Sequence, residues 1–282
     1  MRKFLRNRSW VVRAIILLII PATVIPAVYI FSAAVGSADS GAVAKDSLPA
    51  DSLGRIVDNV AFGVGEKLSY DINYGFINAG TATMEVAKMI EFRGRPCYQI
   101  VTHANSNSFF SSFYRVEDRV ESILDAAGLY SWQFEKNLRE GKYRADRKYA
   151  FDQKKHLVYY ESDTIPVEPF AQDALSVLFY VRTQSLEVGK SIFVDNFVDG
   201  KKYKVEVRVL KKEHINVSAG SFDCFVVEPL TSDVGVFKSN GTLTVWLTDD
   251  RMRLPVLMKS KIMIGSVSAE LTDFKLGEIQ DL

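Results

Sequence analysis

Apolar and polar residues alternate through most of this chain, and that alternation constrains its fold more than any other feature. Leu68, Tyr70 and Ile72 are separated by polar residues, and residues 201–211 repeat the pattern with Tyr203 as their first apolar member. A period of two residues is typical of strands that have one dry face and one wet face. Long strands of this kind predict a mainly β fold: a large antiparallel curved sheet, or a half-open barrel, of roughly a dozen strands.

Short polar dipeptides mark the places where these strands turn. Asp199-Gly200 favours the type I′ turn of a two-residue hairpin. Asp249-Asp250 resembles a pair of catalytic carboxylates, but its position between two strand patterns is ordinary turn chemistry. We therefore expect a turn at each of these dipeptides and no catalytic pair.

One segment breaks the alternation. Residues 172–184 contain no glycine or proline, follow Pro166 and Pro169, and precede Gly189. These signals predict a short helix whose apolar side chains cover most of its circumference. We therefore expect one central helix, buried inside the curved sheet. Asp173, at its first turn, is expected to accept hydrogen bonds from free backbone amides.

The amino-terminal segment predicts export from the cytoplasm. Residues 14–35 carry no charge and follow a cluster of basic residues, as in a transmembrane or signal helix. Gly36 and Ala38 occupy the small-residue positions of a cleavage site, so the segment is either a cleaved signal peptide or a retained anchor, and its length favours the anchor. We expect a cell-envelope protein on the extracytoplasmic, periplasmic side, anchored in the inner membrane by a single helix or exported.

These patterns divide the chain into three regions. Residues 1–36 are the signal anchor or signal peptide, residues 37–61 are a flexible linker, and residues 62–278 are a single β-rich domain. The formal net charge is +1, so no overall field attracts nucleic acid. The expected contacts are therefore with the membrane, through the amino-terminal helix, and not with nucleic acid.

The two cysteines leave two alternatives open. Cys97 and Cys224 have no CxxC spacing and no neighbouring histidine, which argues against a zinc site. In an oxidising compartment they form a disulfide bond, and otherwise they are two buried free thiols.

Sequence signatures of catalysis are lacking. Ser176 lies in ALSVL rather than in a Gly-x-Ser-x-Gly elbow, and no glycine-rich phosphate loop occurs. The three histidines are isolated from one another in sequence, so neither a triad nor a metal site is expected. We therefore expect no enzymatic activity, no cofactor and no metal.

Two charged residues lie in the apolar phase of their strands. Asp118 and Arg147 are both expected to point inward, either as a structural ion pair or a polar edge of the sheet, or as contacts to an amphipathic ligand in a cavity. Lys136 is a further inward candidate. Arg182, near the end of the predicted helix, is expected to bind terminal carbonyls or a loop carboxylate. The candidate binding residues are Asp118, Arg147, Trp132, Tyr143, Tyr149 and Arg182.

Several short stretches occur in an order that resembles a bacterial family. They are Phe62-Gly63-Val64-Gly65-Glu66-Lys67-Leu68-Ser69-Tyr70, Asn78-Ala79-Gly80, Asp173-Ala174-Leu175-Ser176 with Arg182, and Trp246-Leu247-Thr248-Asp249-Asp250 through Pro255 to Gly265-Ser266-Val267. Together they resemble the bacterial domain-of-unknown-function 3108 family over residues 62–276. The resemblance implies an exported bacterial protein with a mostly β domain, and it brings no catalytic residues.

Three functions fit these features. The first is a non-enzymatic envelope protein that binds a hydrophobic or amphipathic, lipid-like ligand in its curved sheet. The second is a structural or assembly protein that binds envelope protein partners through its edges or outer face. The third is an envelope hydrolase, which needs a converging catalytic set that the sequence does not place.

Overall fold

The computed structural model describes residues 53–231, 243–261 and 265–280. These residues form 14 strands in one sheet. The strands are β1 (Lys67–Tyr74), β2 (Ile77–Phe92), β3 (Arg95–Ser106), β4 (Glu117–Asp125), β5 (Ser131–Glu140), β6 (Tyr143–Asp152), β7 (Leu157–Tyr160), β8 (Asp163–Pro166), β9 (Ser191–Val198), β10 (Lys201–Val217), β11 (Gly220–Thr231), β12 (Leu243–Thr248), β13 (Pro255–Lys261) and β14 (Ser266–Lys275).

Every ladder in the sheet is antiparallel. The strand order is β8-β7-β6-β5-β4-β3-β2-β1-β14-β13-β12-β11-β10-β9. The first and last strands thus lie side by side in the middle, while β8 and β9, which are near in sequence, form the two free edges. The predicted large, curved, antiparallel sheet is confirmed, and it is not closed into a barrel by a backbone ladder.

The two ends of the sheet overlap instead of joining. Phe197 of β9 is buried, and its ring lies edge-on to Tyr149 and Phe151 of β6, with centroids 5.8 and 6.0 Å apart. Phe197 shares its alternation phase with exposed Phe193, so the outward side of β9 meets the inward side of β6. The sheet is therefore rolled, with the β9 edge lying inside the β6 wall. We call this region of overlap the seam.

One short main-chain contact also crosses the seam. The amide of Gln172 donates to the carbonyl of Asp195 (2.9 Å), and its carbonyl accepts from the amide of Phe197 (2.8 Å). The neighbouring Ala171 carbonyl accepts from the amide of Ser131 in β5 (3.4 Å). Residues 171–172 thus connect β5 to the β9 edge where no continuous ladder does.

The two helices of the described residues are short. They are α1 (Ser108–Ser111) and α2 (Ser176–Arg182), and α2 lies within the predicted segment 172–184 but has only 7 residues. Two turns of helix cannot fill a sheet of 14 strands. The expectation of a central helix is corrected accordingly: strand side chains, such as the buried Tyr70 and Phe134, fill most of the interior, and α2 packs among them.

The predicted signal anchor, residues 1–36, lies outside the described residues. Of the predicted linker, residues 53–61 contact the domain: Arg55 donates to the carbonyls of Gly128 (2.6 Å) and Leu129 (2.7 Å). None of the helices in the described ranges has the length and apolarity needed to cross a membrane. The boundaries 37–61 and 62–278 stay predictions.

The Asp199-Gly200 turn forms as predicted. Asp199 has a φ of +50° and Gly200 a φ of +80°, the left-handed values that a type I′ turn requires at both central residues. The turn joins β9 to β10, with Val198 and Lys201 as the last opposed pair. Since β9 is tucked inside the roll, the turn carries Asp199 into the seam.

Candidate functional site

A cluster of charged and aromatic side chains fills the seam around Asp199. Its members, which we call the Asp199 cluster, are Lys136, Tyr143, Arg147, Tyr149, Tyr160 and Asp199. Lys136 and Arg147 are directly opposed in the β5–β6 ladder and share the inward phase of their strands. Oδ1 of Asp199 accepts hydrogen bonds from Lys136 Nζ, from Arg147 Nη1 (3.1 Å) and from the Tyr149 hydroxyl (3.4 Å).

At this cluster, burial disfavours the charged forms of the basic side chains, whereas the neighbouring carboxylate favours them. Burial lowers the pKa of the Lys136 ammonium, although Asp199, and to a smaller extent Glu140, favour its charge. Burial also disfavours charge on Arg147, but Asp199 and the neighbouring tyrosines outweigh it and raise the pKa of the guanidinium. Two cations therefore bind the same carboxylate oxygen, and one of them, Lys136, is almost completely shielded from water.

An aromatic wall lies beside the charges. The ring of Tyr149 stacks on that of Tyr160 at 4.6 Å and on that of Phe134 at 6.2 Å between centroids. Tyr143 accepts a long hydrogen bond from Arg147 Nη2 (3.5 Å). The side chain of Arg147 is 33% exposed, so the cluster is reachable from solvent at this residue.

Asp118 does not belong to this cluster. It is buried in β4, as predicted, but its Oδ1 accepts from the backbone amide of Arg139 (2.6 Å), and its Oδ2 has no hydrogen-bond partner among the described residues. Burial raises the pKa of its carboxyl to about 6. The predicted alternative of an ion pair between Asp118 and Arg147 is wrong, because Arg147 binds Asp199 instead.

Trp132 also lies apart from the predicted site. Its indole Nε1 donates to Oδ2 of Asp125 (3.0 Å), a carboxylate that is also bound by Arg95. Trp132 packs with Tyr130 in a small second core cluster, separate from the main one. Its position supports the β4–β5 end of the sheet.

Arg182 forms an ion pair with the carboxylate of Glu66, which comes just before β1. Its Nη1 and Nη2 each lie 2.7 Å from a different Glu66 oxygen, and both side chains are almost completely buried. The guanidinium also donates to the carbonyls of Ala61 and Met252. Arg182 was expected to bind either terminal carbonyls or a loop carboxylate. It binds a carboxylate, and it also binds loop carbonyls from distant parts of the chain.

A second buried network surrounds Asp173. Its Oδ2 accepts from the hydroxyls of Ser122 and Ser131 (both 2.6 Å), and its Oδ1 accepts from the amides of Leu175 (2.7 Å) and Ser176 (2.8 Å). The two amides are at the start of α2, as predicted for Asp173. All of these polar groups are buried and mutually bonded, so the network connects α2 to β4 and β5 rather than facing a cleft.

Sequence reasoning missed several residues of these networks. Ser122 was recoverable, because it lies in the same inward phase as Asp118 and its hydroxyl interrupts an apolar face. Ser131 was not, because it lies in the opposite phase from the apolar Trp132 and Phe134 of β5. The role of Asp199 in the cluster could not be predicted, since turn geometry alone explains the Asp199-Gly200 dipeptide. Nothing in the local pattern indicates that this turn meets β5 and β6.

A cleft of about 260 Å³ opens along the seam. It is lined by Val167, Glu168, Ala171, Asp195, Asn196, Lys202, Tyr203 and Lys204. The cleft thus lies between the chain after β8 and the β9–β10 hairpin that carries Asp199. Its lining includes charges of both signs and provides no excess of either.

Cys97 and Cys224 are both buried and both free. They lie in β3 and β11, which five other strands separate in the sheet order. Burial raises the pKa of each thiol to about 12, so both are poor nucleophiles. Within the described ranges, His, Cys, Asp and Glu side chains form no group of three that could hold a metal ion.

The fold and these sites define a mainly β, barrel-like protein, whose rolled antiparallel sheet is held together at its seam by buried polar clusters. The family model described as "Protein of unknown function (DUF3108)" matches residues 69–272, more than half of the chain. The chain belongs to this family, which confirms the resemblance seen in its short sequence stretches.

Solved structures resemble the fold. The crystal structure of a beta-barrel-like protein of domain of unknown function DUF1849 from Brucella abortus is 12% identical in sequence, with a TM-score of 0.57 over 78% of this chain and 100% of that chain. At this identity the likeness shows the fold alone.

Two further structures match less well. A protein provisionally described as a lipoprotein, from Parabacteroides distasonis, has a TM-score of 0.32 at 11% identity, and one provisionally described as an exported protein, from Bacteroides fragilis, has 0.31 at 12%. Each alignment covers 78% of this chain and 99% of the other. No curated protein matches the chain.

Proposed function

We propose that this chain is a non-enzymatic protein of the extracytoplasmic cell envelope that binds the acidic head group of an amphipathic, lipid-like molecule at the Asp199 cluster. The observation that carries the proposal is that Lys136 and Arg147 bind the same oxygen of one carboxylate. A ligand carboxylate or phosphate would offer these two cations further acceptors, in charge-assisted hydrogen bonds.

The surroundings of the cluster support an amphipathic ligand. The half-buried ring of Tyr160, stacked on the buried ring of Tyr149, provides an apolar surface next to the charges, and partly exposed Arg147 gives access from solvent. The apolar run at residues 14–35 and the family resemblance support an extracytoplasmic location. The complete burial of the Asp173 network, with its serines bonded to a carboxylate, supports a protein without hydrolase activity.

The first experiment replaces Arg147 with Met in the full chain. We expect Arg147→Met to weaken binding of oleate and of lysophosphatidylglycerol about tenfold to a hundredfold, because a charge-assisted hydrogen bond to the head group is lost. Isothermal titration calorimetry measures both probes. Lys148→Met is the matched control, since Lys148 is the exposed neighbour on the outward phase of the same strand.

A second variant separates ligand binding from the structural alternative, in which the cluster only closes the seam. Asp199→Asn removes the carboxylate with which an acidic head group would compete. We expect tighter probe binding together with a lower melting temperature. Loss of both binding and stability, or unchanged binding in Arg147→Met, would show that the cluster is a structural ion network and would leave partner binding as the better function.

A further inference from the structure

Four large apolar side chains are exposed close together at one end of the rolled sheet. Phe76 is fully exposed, and Ile77, Phe109 and Phe113 are each more than half exposed. Phe76 and Ile77 lie at the β1–β2 turn, and Phe109 and Phe113 lie in and just after α1, in the connection from β3 to β4. Exposed apolar clusters of this kind mark surfaces of interaction.

Hydrogen bonds hold the two loops side by side. The side-chain amide of Asn107 donates to the carbonyl of Asn78 (2.8 Å), and its backbone amide donates to the carbonyl of Ala79 (2.9 Å). The rings of Phe109 and Phe113 are 5.6 Å apart, and both contact the ring of Phe110, which is buried beneath them. We call Phe76, Ile77, Phe109 and Phe113 the aromatic rim.

Basic side chains lie at the same end of the sheet. The amide of Gly141, in the β5–β6 turn, donates to the carbonyl of Arg115 (2.7 Å), which places that turn next to the connection that carries α1. Arg115, Lys142 and Arg144 are exposed. Arg115 pairs with Glu117, whereas no described carboxylate forms an ion pair with Lys142 or Arg144.

We propose that the aromatic rim inserts into the surface of a bilayer that contains anionic phospholipids, with Lys142 and Arg144 facing the head groups. Aromatic side chains favour the boundary between head groups and acyl chains, and basic side chains next to it are attracted to an anionic leaflet. The aromatic rim and its basic neighbours include no residue of the Asp199 cluster, although both lie on the same sheet. The proposal therefore does not depend on the proposed ligand.

The test places an environment-sensitive fluorophore on the full chain at the rim. Phe76→Cys is labelled with a nitrobenzoxadiazole group and mixed with phosphatidylcholine vesicles with or without phosphatidylglycerol. Lys155→Cys is the matched control, because Lys155 is exposed at the opposite end, between β6 and β7. The unsubstituted chain controls for labelling of Cys97 and Cys224, which are both buried.

We expect the label at position 76 to shift to the blue, gain several-fold in intensity and be quenched by brominated lipid, in vesicles with phosphatidylglycerol only. The label at position 155 is expected to stay in water even if the apolar segment 14–35 brings the chain to the vesicle. Adding Lys142→Gln and Arg144→Gln is expected to reduce the response at position 76 several-fold, whereas Arg147→Met is expected to leave it unchanged.

Three results would overturn the proposal. A label at position 76 that stays in water while the chain sediments with vesicles would show that the rim does not touch the bilayer. An equal response at positions 76 and 155 would indicate unfolding on the membrane. An equal response in neutral and anionic vesicles would show that Lys142 and Arg144 play no part.

Discussion

At the scale of single residues, the separated family-typical stretches are connected by buried ion pairs and hydrogen bonds. Glu66 and Arg182 are far apart in sequence but form a bidentate pair with both N–O distances at 2.7 Å. Arg182 also binds the carbonyl of Met252, a few residues after the Asp249-Asp250 turn. A buried pair of this kind depends on its geometry, because removing one partner leaves an uncompensated buried charge and costs about 3–5 kcal/mol.

Asp118 differs from these paired charges, since one of its oxygens is buried without a partner among the described residues. Its carboxyl has a pKa raised to about 6 by burial, against an ordinary value of 3.8, so the folded state binds the proton more tightly than the unfolded state. Stability from this group is therefore fully present below about pH 4 and is lost as pH rises through about 6. The shift corresponds to roughly 2–3 kcal/mol.

We expect Asp118→Asn to remove this dependence. The variant should gain in unfolding free energy relative to the natural chain as pH rises from 4 to 7, because asparagine never carries the buried charge. Urea unfolding at pH 4, 5.5 and 7 measures the difference.

Asp146→Asn is the control for this series. Asp146 is exposed, and hydrogen bonds from Asn137 and Arg139 hold its pKa below the ordinary value, so its stabilising effect is lost as pH falls. A gain that is the same at all pH values in Asp118→Asn would mean that the folded-state pKa of Asp118 is not raised.

At the scale of elements, α2 was correctly predicted to be a helix, but its role in the fold differs from the predicted one. Its position was predictable from the absence of glycine and proline, but its short length makes it one packed element among many. Phe179 is completely buried, with its ring 4.9 Å from that of Phe62, whereas Leu178 is only partly buried. The helix therefore has one strongly buried side and one less buried side.

This asymmetry gives a direct test. We expect Phe179→Ala to cost about 3–5 kcal/mol of unfolding free energy, since it empties a packed site. Leu178→Ala is expected to cost about 1 kcal/mol, because part of its side chain is already in water. Equal costs in urea unfolding would contradict the observed packing of α2.

At the scale of the whole molecule, the rolling of the sheet protects one of its two edge strands. Strands β8 and β9 end the sheet, and exposed edges of this kind favour association with other strands. Rolling places the β9 edge inside the wall, where Phe197 packs on β6 and Asp199 binds Lys136 and Arg147. Side-chain contacts thus join the two ends of the sheet, which no backbone ladder connects.

The seam should therefore open more easily than the middle of the sheet. We expect Phe197→Ala to increase amide hydrogen exchange in β6 and in the β9–β10 hairpin, with no change in β1 or β14, because local opening follows the weakest contacts. Hydrogen-exchange mass spectrometry measures this by segment. Phe193→Ala, which removes an exposed ring from the same strand, is the control and should change neither region. Uniformly faster exchange after Phe197→Ala would mean that the seam does not open separately.

Strand β8, which contains Pro166, was not predicted. Sequence patterns were enough to predict most of the other strands, their antiparallel pairing, the Asp199-Gly200 turn and the inward direction of Asp118 and Arg147. All of these follow from local periodicity and turn geometry. Two contacts could be seen only in the folded protein: Arg147 binds Asp199 rather than Asp118, and the outward side of β9 lies against β6. These contacts depend on how a long sheet curves and where its ends overlap. That curvature is summed over 14 strands, and no short stretch of sequence encodes it.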